Sequence, residues 1–357
     1  MTTVVSSNFN NINLAISAYA DAARADNALI LSSGIVTSDA RVTDAGEAYS
    51  GTVRWLNYTD PATQNKPVET GGNSTNLNRL SANNQAEVYI KNIDSVVAQE
   101  SSIQAIVSKV DGLAYLGRQF GAVRARREDE NLRNVIGGVS KAIFGTAPTA
   151  DRAAGVVGTF GYGTAYDHSE TSYAPLFANT SGAAQVRSVF FDTLLDAMAG
   201  VATEFEEPFY YLAVNAATFN VLRKENVLDG SLVTDGNISF NTLLGGKIRL
   251  VLTGSSATAG AVDANATTSV LMAPGALVYA NVSVPNPTGI DRDELAHNGG
   301  GIVSIINRWG NIIHPRGYNW TGAVNAYPAN TVLNTAASWT AVAANVNQTG
   351  LFPIFHG

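Results

Sequence analysis

The chain contains no cysteine. That absence excludes a disulfide framework, a thiolate nucleophile and a Cys-ligated zinc site together. Charge is scarce as well: only 14% of the 357 residues are Asp, Glu, Lys or Arg, where soluble domains carry roughly 25%. Gly, Ala, Asn, Ser, Thr and Val fill the space instead. Such a surface suits a chain that ends up against other subunits, where charged residues are depleted, and β-rich secreted adhesins share the bias. A basic excess is missing too. The formal net charge of −7 argues against a dedicated nucleic-acid binder and leaves room only for weak, non-specific contact with DNA. No run approaches the roughly 18 apolar residues of a membrane span. The opening Met1-Thr-Thr-Val-Val-Ser-Ser-Asn-Phe9 lacks the basic-then-apolar order of an export signal. The sequons at Asn57 and Asn73 therefore read as products of Asn- and Thr-rich composition.

Catalytic machinery is equally sparse. The four histidines, His168, His297, His314 and His356, form no His-Glu-x-x-His or equivalent spacing, so no histidine metal site is expected. There is no Gly-x-Ser-x-Gly elbow. Leu244-Gly-Gly-Lys247 lacks the upstream Gly and the following Ser or Thr of a phosphate-binding loop and reads as a turn before a strand. Gly158-Thr-Phe-Gly161-Tyr-Gly163 lacks the spacing, the leading strand and the following helix of a dinucleotide fingerprint. Asp291-Arg-Asp-Glu294 cannot direct all its carboxylates at one cation without a dedicated loop, so it reads as charge pairing at an interface. The expectation is a chain with no enzymatic activity: no catalytic, cofactor-binding or metal-binding residue, and no cofactor.

What is present is a long series of short elements. Residues 1 to 45 are polar and then weakly amphipathic, from Leu14 to Leu31, and read as an arm with local helix. From 46 to 88, Gly46, Gly51, Asp60-Pro61, Lys66-Pro67 and Gly71-Gly72 punctuate β-like pieces such as Thr52-Val-Arg-Trp-Leu56, the pattern of a long two-stranded loop projecting from a body. From Ile103 through Phe120, Leu132, Val135, Ile136 and Val139 to Ile143, apolar residues recur at intervals of three and four. A helix of that span reaches roughly 60 Å. Asp111, Arg118, Arg126, Asp129 and Arg133 fall on its opposite side, and Gly112, Gly117, Gly121, Gly137 and Gly138 predict a bend or break in it.

Arg124, Arg126, Arg127 and Arg133 could touch phosphate, but Arg124 and Glu128, Arg126 and Glu130, and Asp129 and Arg133 stand four apart. That spacing favours ion pairs on the helix, solvated or between subunits, over DNA contact. Residues 145 to 185 read as extended loop. A second amphipathic helix follows from Gln185 to Ala202, with Leu194, Leu195 and Met198 on its apolar stripe. Strands are predicted over Glu207–Asn215, Lys247–Leu252, a pair at 269–273 and 275–284, and a late pair at 302–306 and 309–314, with a helix over Ala216–Lys224.

The text from 285 to 320 is the most distinctive: Pro285, Asp291-Arg-Asp293, Arg308, then His314-Pro-Arg-Gly-Tyr-Asn-Trp320. It resembles the closing section of the tailed-bacteriophage major capsid proteins of the Hong Kong 97-like fold, where a Pro-rich stretch and an Asp-Arg-Asp element precede a strand ending in His-Pro-x-Gly and an aromatic. The long Arg- and Glu-bearing helix resembles their spine helix. Gly246–Leu252, Ala273–Tyr279 and Trp339 also fall in the family's order, and the likeness covers residues 100 to 345.

The resemblance implies an α+β subunit with an N-terminal arm (1–45), an extended β loop (46–95), a peripheral domain with the spine helix (96–150), a central axial αβ domain (151–290), and a return to the peripheral domain with a C-terminal tail (291–357). It implies a head protein assembling with itself into hexamers and pentamers of an icosahedral virion shell around double-stranded DNA, built in the host cytoplasm, with a portal and a decoration protein as further partners. Met1 lies so close to the arm that a separate scaffolding protein is expected instead of a cleaved leader. Some relatives weld subunits through Lys-Asn bonds, for which Lys66 is the donor that can be named. His314 reads as a packing or capping residue at a strand end, with Pro315 stopping the ladder and Gly317 supplying the turn. An encapsulin-like compartment shell, a β-rich secreted adhesin or fibre protein and a hydrolase with an unrecognised site are the alternatives.

Overall fold

Alternating apolar and polar residues make strands that bury one face, and among the described residues the chain builds two large sheets, one long helix and two small strand pairs, one of them β5 (Val233–Asp235) with β6 (Ile238–Phe240). The computed structural model describes residues 18–22, 34–39, 41–42, 49–59, 81–100, 112–144, 194–195, 198, 207–224, 226–230, 232–235, 238–252, 267–293, 302–325, 327–342 and 349–356. Lys66, His168, His297, Glu294, the Gly158–Gly163 run and the 145–185 loop lie outside the described residues.

The first sheet has the order β1 (Val36–Ser38), β10 (Leu277–Val282), β12 (Ile302–Pro315), β3 (Ser81–Glu100) and β2 (Ser50–Thr59), with β11 (Thr288–Asp293) also paired to β12. The late pair expected at 302–306 and 309–314 is one unbroken strand of 14 residues, β12. Asn307-Arg308 does not turn, because the ladder to β3 continues through both. One edge of β12 is shared, β11 lying along Ile302–Asn307 and β10 along Gly310–Pro315.

Two paired strands fall in the stretch where a two-stranded loop is expected: β2 and β3 are antiparallel, joined from Ser50↔Ile90 to Thr59↔Ser81. The second strand runs further than the sequence suggests. Beyond residue 90, β3 leaves β2 and pairs with β12 from Lys91↔Ile312 to Glu100↔Val303.

The second sheet has the order β15 (Leu351–His356), β9 (Thr267–Met272), β4 (Tyr210–Val214), β8 (Ile248–Leu252) and β7 (Thr242–Leu243). All five residues of β4 are buried, as expected of a central strand covered on both faces. Asn215 accepts the Thr218 backbone N–H through Oδ1 at 2.6 Å, capping α2 (Ala216–Lys224) where the sequence places it. Leu244–Lys247 is a turn, with φ values of +54°, +69° and +89° at Leu244, Gly245 and Gly246. Asp229 stabilises it by accepting the Gly245 and Gly246 N–H groups at 3.3 and 3.0 Å. The strands at 267–272 and 277–282 are not a pair: β9 lies in the second sheet and β10 in the first, so the chain crosses between sheets at Ala273–Ala276.

The long helix, α1, spans Gly112–Phe144, 33 residues or about 50 Å. It is helical through every internal glycine, so of the expected bend or break there is no break. Packing supplies the reason at Gly138. A Cβ there would overlap the Leu333 carbonyl oxygen and come within 2.7 Å of the Trp339 indole nitrogen, so the missing side chain admits the tail. That tail is α3 (Asn330–Leu333), a 3₁₀ turn (Ala336–Ser338) and β14 (Trp339–Ala341), which pairs with β13 (Tyr318–Trp320). Trp339 donates its indole N–H to the Leu333 carbonyl at 2.9 Å and meets Trp320 edge-on at 5.1 Å.

Leu132, Val135, Ile136 and Val139 join these tryptophans and the second sheet in one core, while Leu116 and Phe120 pack with Ala20 and Ile305 in a smaller one. Of the second predicted helix, Leu194, Leu195 and Met198 are described. Leu194 is fully buried, but Leu195 is 48% exposed and so does not belong to the apolar stripe. Among the described residues no helix is long and apolar enough to cross a membrane.

Burial pushes the Tyr318 phenol well above its ordinary pKa of 10.0. The unfolded chain ionises near 10 and the folded chain does not, so this contribution to stability is complete below pH 10 and lost as pH rises above it. Tyr318→Phe is expected to flatten the fall of melting temperature between pH 9 and 11; identical slopes for the two proteins would refute it.

Candidate assembly site at the hairpin root

The point where β3 exchanges partners is held by side chains from three elements. Glu87 and Tyr89 lie on one face of β3, two residues apart, and this face meets His314 near the end of β12. His314 Nε2 and Glu87 Oε2 are 2.8 Å apart, with side-chain exposures of 0% and 1%. The second carboxylate oxygen of Glu87 accepts the Gly317 backbone N–H at 2.8 Å. Tyr89 presents its ring edge-on to the imidazole at 6.3 Å, and Lys91, further along the same strand, is also buried. On the other side, Asn319 of β13 accepts the Val88 N–H through Oδ1 at 2.7 Å. One carboxylate thus ties the hairpin root to the β12–β13 turn, across 227 and 230 residues of sequence.

His314 is therefore more than the packing or capping residue the sequence suggests. It is half of a buried polar pair, and a pair sealed this completely has no face on which to receive a substrate. Glu87 could not be found from the sequence. In Ala86-Glu87-Val88-Tyr89-Ile90-Lys91 the charged positions alternate with apolar ones, which ordinarily marks a solvent-facing strand edge.

A second set of charges fastens α1. Arg124 bonds Glu128 at 2.9 Å, the i,i+4 pair expected, and also reaches Asp21 at 2.8 Å. Arg127 bonds Asp94 and the Ser95 carbonyl, both at 2.7 Å, with its guanidinium 5.9 Å from the Trp309 ring centre. The other two expected pairs take a different form. Arg126 donates to the Ala122 carbonyl and Arg133 to the Asp129 carbonyl, both at 3.2 Å, backbone groups one turn back in the helix. Glu128 and Asp129, expected toward solvent, are buried. At the helix's far end Lys141 donates to the backbone and side-chain oxygens of Asn334 at 3.0 and 3.2 Å. Partial burial holds its pKa below the usual value.

Near the turn that carries Arg316, Arg41 bonds Asp39 at 2.6 Å, and this hydrogen bond, the largest cause, holds the Asp39 carboxyl below its ordinary range. Asp291 and Asp293 are exposed on β11. Among the described residues no three His, Asp or Glu side chains gather as a metal site would require.

No protein-family model matches the chain, and no curated protein matches it either. Among solved structures, the capsid of Ralstonia phage GP4 aligns over 79% of this chain and 83% of its own, at 13% identity and a TM-score of 0.50. The chain has the fold of a phage capsid subunit. Two further capsids align less closely in space: the mature capsid of bacteriophage PhiM1 (15% identity, 76% of this chain and 80% of that one, TM-score 0.44) and the capsid of myovirus XM1 (11%, 92% and 92%, 0.41). The mixed α+β architecture read from the sequence is present, with two large sheets and one dominant helix.

Proposed function

We propose that the chain is the major capsid protein of a tailed phage or prophage, assembling with copies of itself as hexamers and pentamers of an icosahedral shell that encloses double-stranded DNA in the virion. The observation that carries this reading is the fold shared with a Ralstonia phage capsid over most of both chains. On this reading the fold is Hong Kong 97-like. Residues 1–45 are the arm, 46–95 the extended loop, 96–150 the peripheral domain with α1 as spine, 151–290 the axial domain, and 291–357 the return and tail. The chain acts by contact and not by turnover, which fits a polar cluster sealed from solvent at the hairpin root.

The shell's strength then comes from many modest contacts repeated by symmetry. Assembly takes place in the host cytoplasm with a separate scaffolding protein, a portal and, where one is used, a decoration protein, and packaged DNA is touched only weakly. Negative-stain microscopy of the expressed full-length chain tests the reading: capsomer-like rings or icosahedral particles are expected. A protein that stays monomeric at every concentration and with scaffold supplied would overturn it.

A further inference from the structure

Helix α1 turns a row of cations to solvent. Arg118 and Arg126 are exposed and Arg133 is half-buried, and on the helical repeat the three fall within an arc of about 80° and over about 22 Å of axis. The i,i+4 ion pairing expected of the arginines is met at Arg124 but not in this row. Arg126 Nε donates to the Ala122 carbonyl and Arg133 Nε to the Asp129 carbonyl, and none of the three has a carboxylate partner among the described residues. Two acids lie close by. Asp129 is buried beneath the row and has contacts of its own, while Glu130 is exposed at the margin. Toward solvent, Arg118, Arg126 and Arg133 thus stand against Glu130 alone, in a chain whose overall charge is −7.

The posture of these arginines suits a phosphate. In Arg126 and Arg133 the bond from Nε to the preceding turn, 3.2 Å in both, holds the guanidinium against the helix, and the Nη groups are the donors that remain. A fork held this way loses less conformational freedom when it binds. The kind of acceptor follows from the shape of the row. A DNA duplex presents one phosphate per about 1.7 Å of its axis, so a row on one unbroken helix of 33 residues meets phosphates at any register and reads no sequence. A protein partner is held instead by large aromatic or arginine anchors in a dry, well-packed centre, and here Gln119 and Ala122 lie between the arginines.

We infer that the face of α1 bearing Arg118, Arg126 and Arg133 lines the interior of the shell and contacts the phosphate backbone of the packaged duplex. The inference rests on the shell reading above and adds to it the surface that meets DNA. Three phosphate contacts make a weak site in one subunit, which becomes effective when it is repeated over the shell.

Two measurements on the full chain test it. In DNA-filled particles carrying the photo-crosslinking amino acid p-benzoylphenylalanine in place of Gln119, irradiation is expected to join DNA to the α1 peptide. Crosslinks to protein alone, whether a second copy or a scaffold chain, would overturn the inference while leaving the particles, and so the shell reading, intact. In solution, the unassembled chain is expected to bind a random-sequence duplex of about 30 base pairs, with affinity falling about fortyfold for each fourfold rise in salt, as three phosphate contacts require. Combining Arg118→Gln, Arg126→Gln and Arg133→Gln should abolish that dependence at an unchanged melting temperature, and lysine at the same three positions should keep most of it. Arg118→Gln alone, which removes no bond within the helix, should reduce the logarithmic slope by about a third and guards against misfolding of the triple variant. A folded triple variant with the parent's salt dependence, or a parent that binds no duplex at low salt, refutes the inference. A parent chain that forms no particle removes the shell reading and the interior placement with it, whatever its affinity for duplex.

Discussion

Replacing Glu87 by alanine is expected to lower the unfolding free energy by about 3–5 kcal/mol, the cost of breaking a buried pair and stranding its partners. The His314 imidazole would lose its 2.8 Å contact and the Gly317 N–H its carboxylate acceptor at the same distance, at a place where the intact pair is 0–1% exposed. Glu87→Gln should fall between the two proteins, because the amide oxygen still accepts from Gly317 while the amide nitrogen can face an imidazole in its other tautomer. Hydrogen exchange gives the local readout. Amides of Ser50–Thr59 and residues 81–90 should lose protection in Glu87→Ala, while those of β12 opposite β11 keep theirs. A double-mutant cycle with His314→Gln should show coupling, since the two side chains touch. A Glu87→Ala protein that melts with the parent, or two substitutions that add without coupling, would show that the pair does not fasten the hairpin.

The second large effect is expected at Gly138. Gly138→Val should cost about 3 kcal/mol or more, at the upper end for overpacking, because the obstruction is backbone. The Leu333 carbonyl, which the new Cβ would overlap, also accepts the Trp339 N–H at 2.9 Å, so it cannot move without breaking that bond. A glycine inside an exposed helix would behave in the opposite way, since its replacement by alanine gains roughly 1 kcal/mol. The sign of Gly138→Ala therefore separates the two cases, and a loss is expected. Tryptophan fluorescence follows it directly, because displacing the tail separates Trp320 from Trp339. A stabilised Gly138→Ala protein with unchanged emission would mean the tail does not pack there.

These two positions also mark what the sequence could and could not convey. Local pattern was enough for α2, for β4, for the Leu244–Lys247 turn and for the existence of α1, because the spacing of apolar residues and the Gly245-Gly246 pair decide them within a few residues. It was not enough for partnership. Ile302–His314 contains Asn307-Arg308, which read as a division between two strands, and only the continuous ladder from β3 shows one strand. Likewise β9 and β10 are separated by four residues but belong to different sheets, a choice made by distant partners, β4 for one and β12 for the other. The hairpin-root site was half legible: His314-Pro315 stood out as a strand end, whereas Glu87 looked like any solvent-facing acid. Burial of a charge is a tertiary fact, fixed by what packs over it, and leaves no local mark.

The change of partner along β3 has a mechanical consequence. A strand of 20 residues spans about 65 Å, and its two halves are hydrogen-bonded to different neighbours, β2 on the hairpin side and β12 on the body side. A pull applied at Ser81, the start of β3, therefore runs along one extended backbone into the sheet, where the ten-residue ladder to β12 resists it in shear, many bonds sharing the tension at once. A hairpin joined to its body through loops would pass the same pull to one or two flexible residues and swing. In this chain the strand that pairs with β2 is one piece with the strand that anchors it to β12.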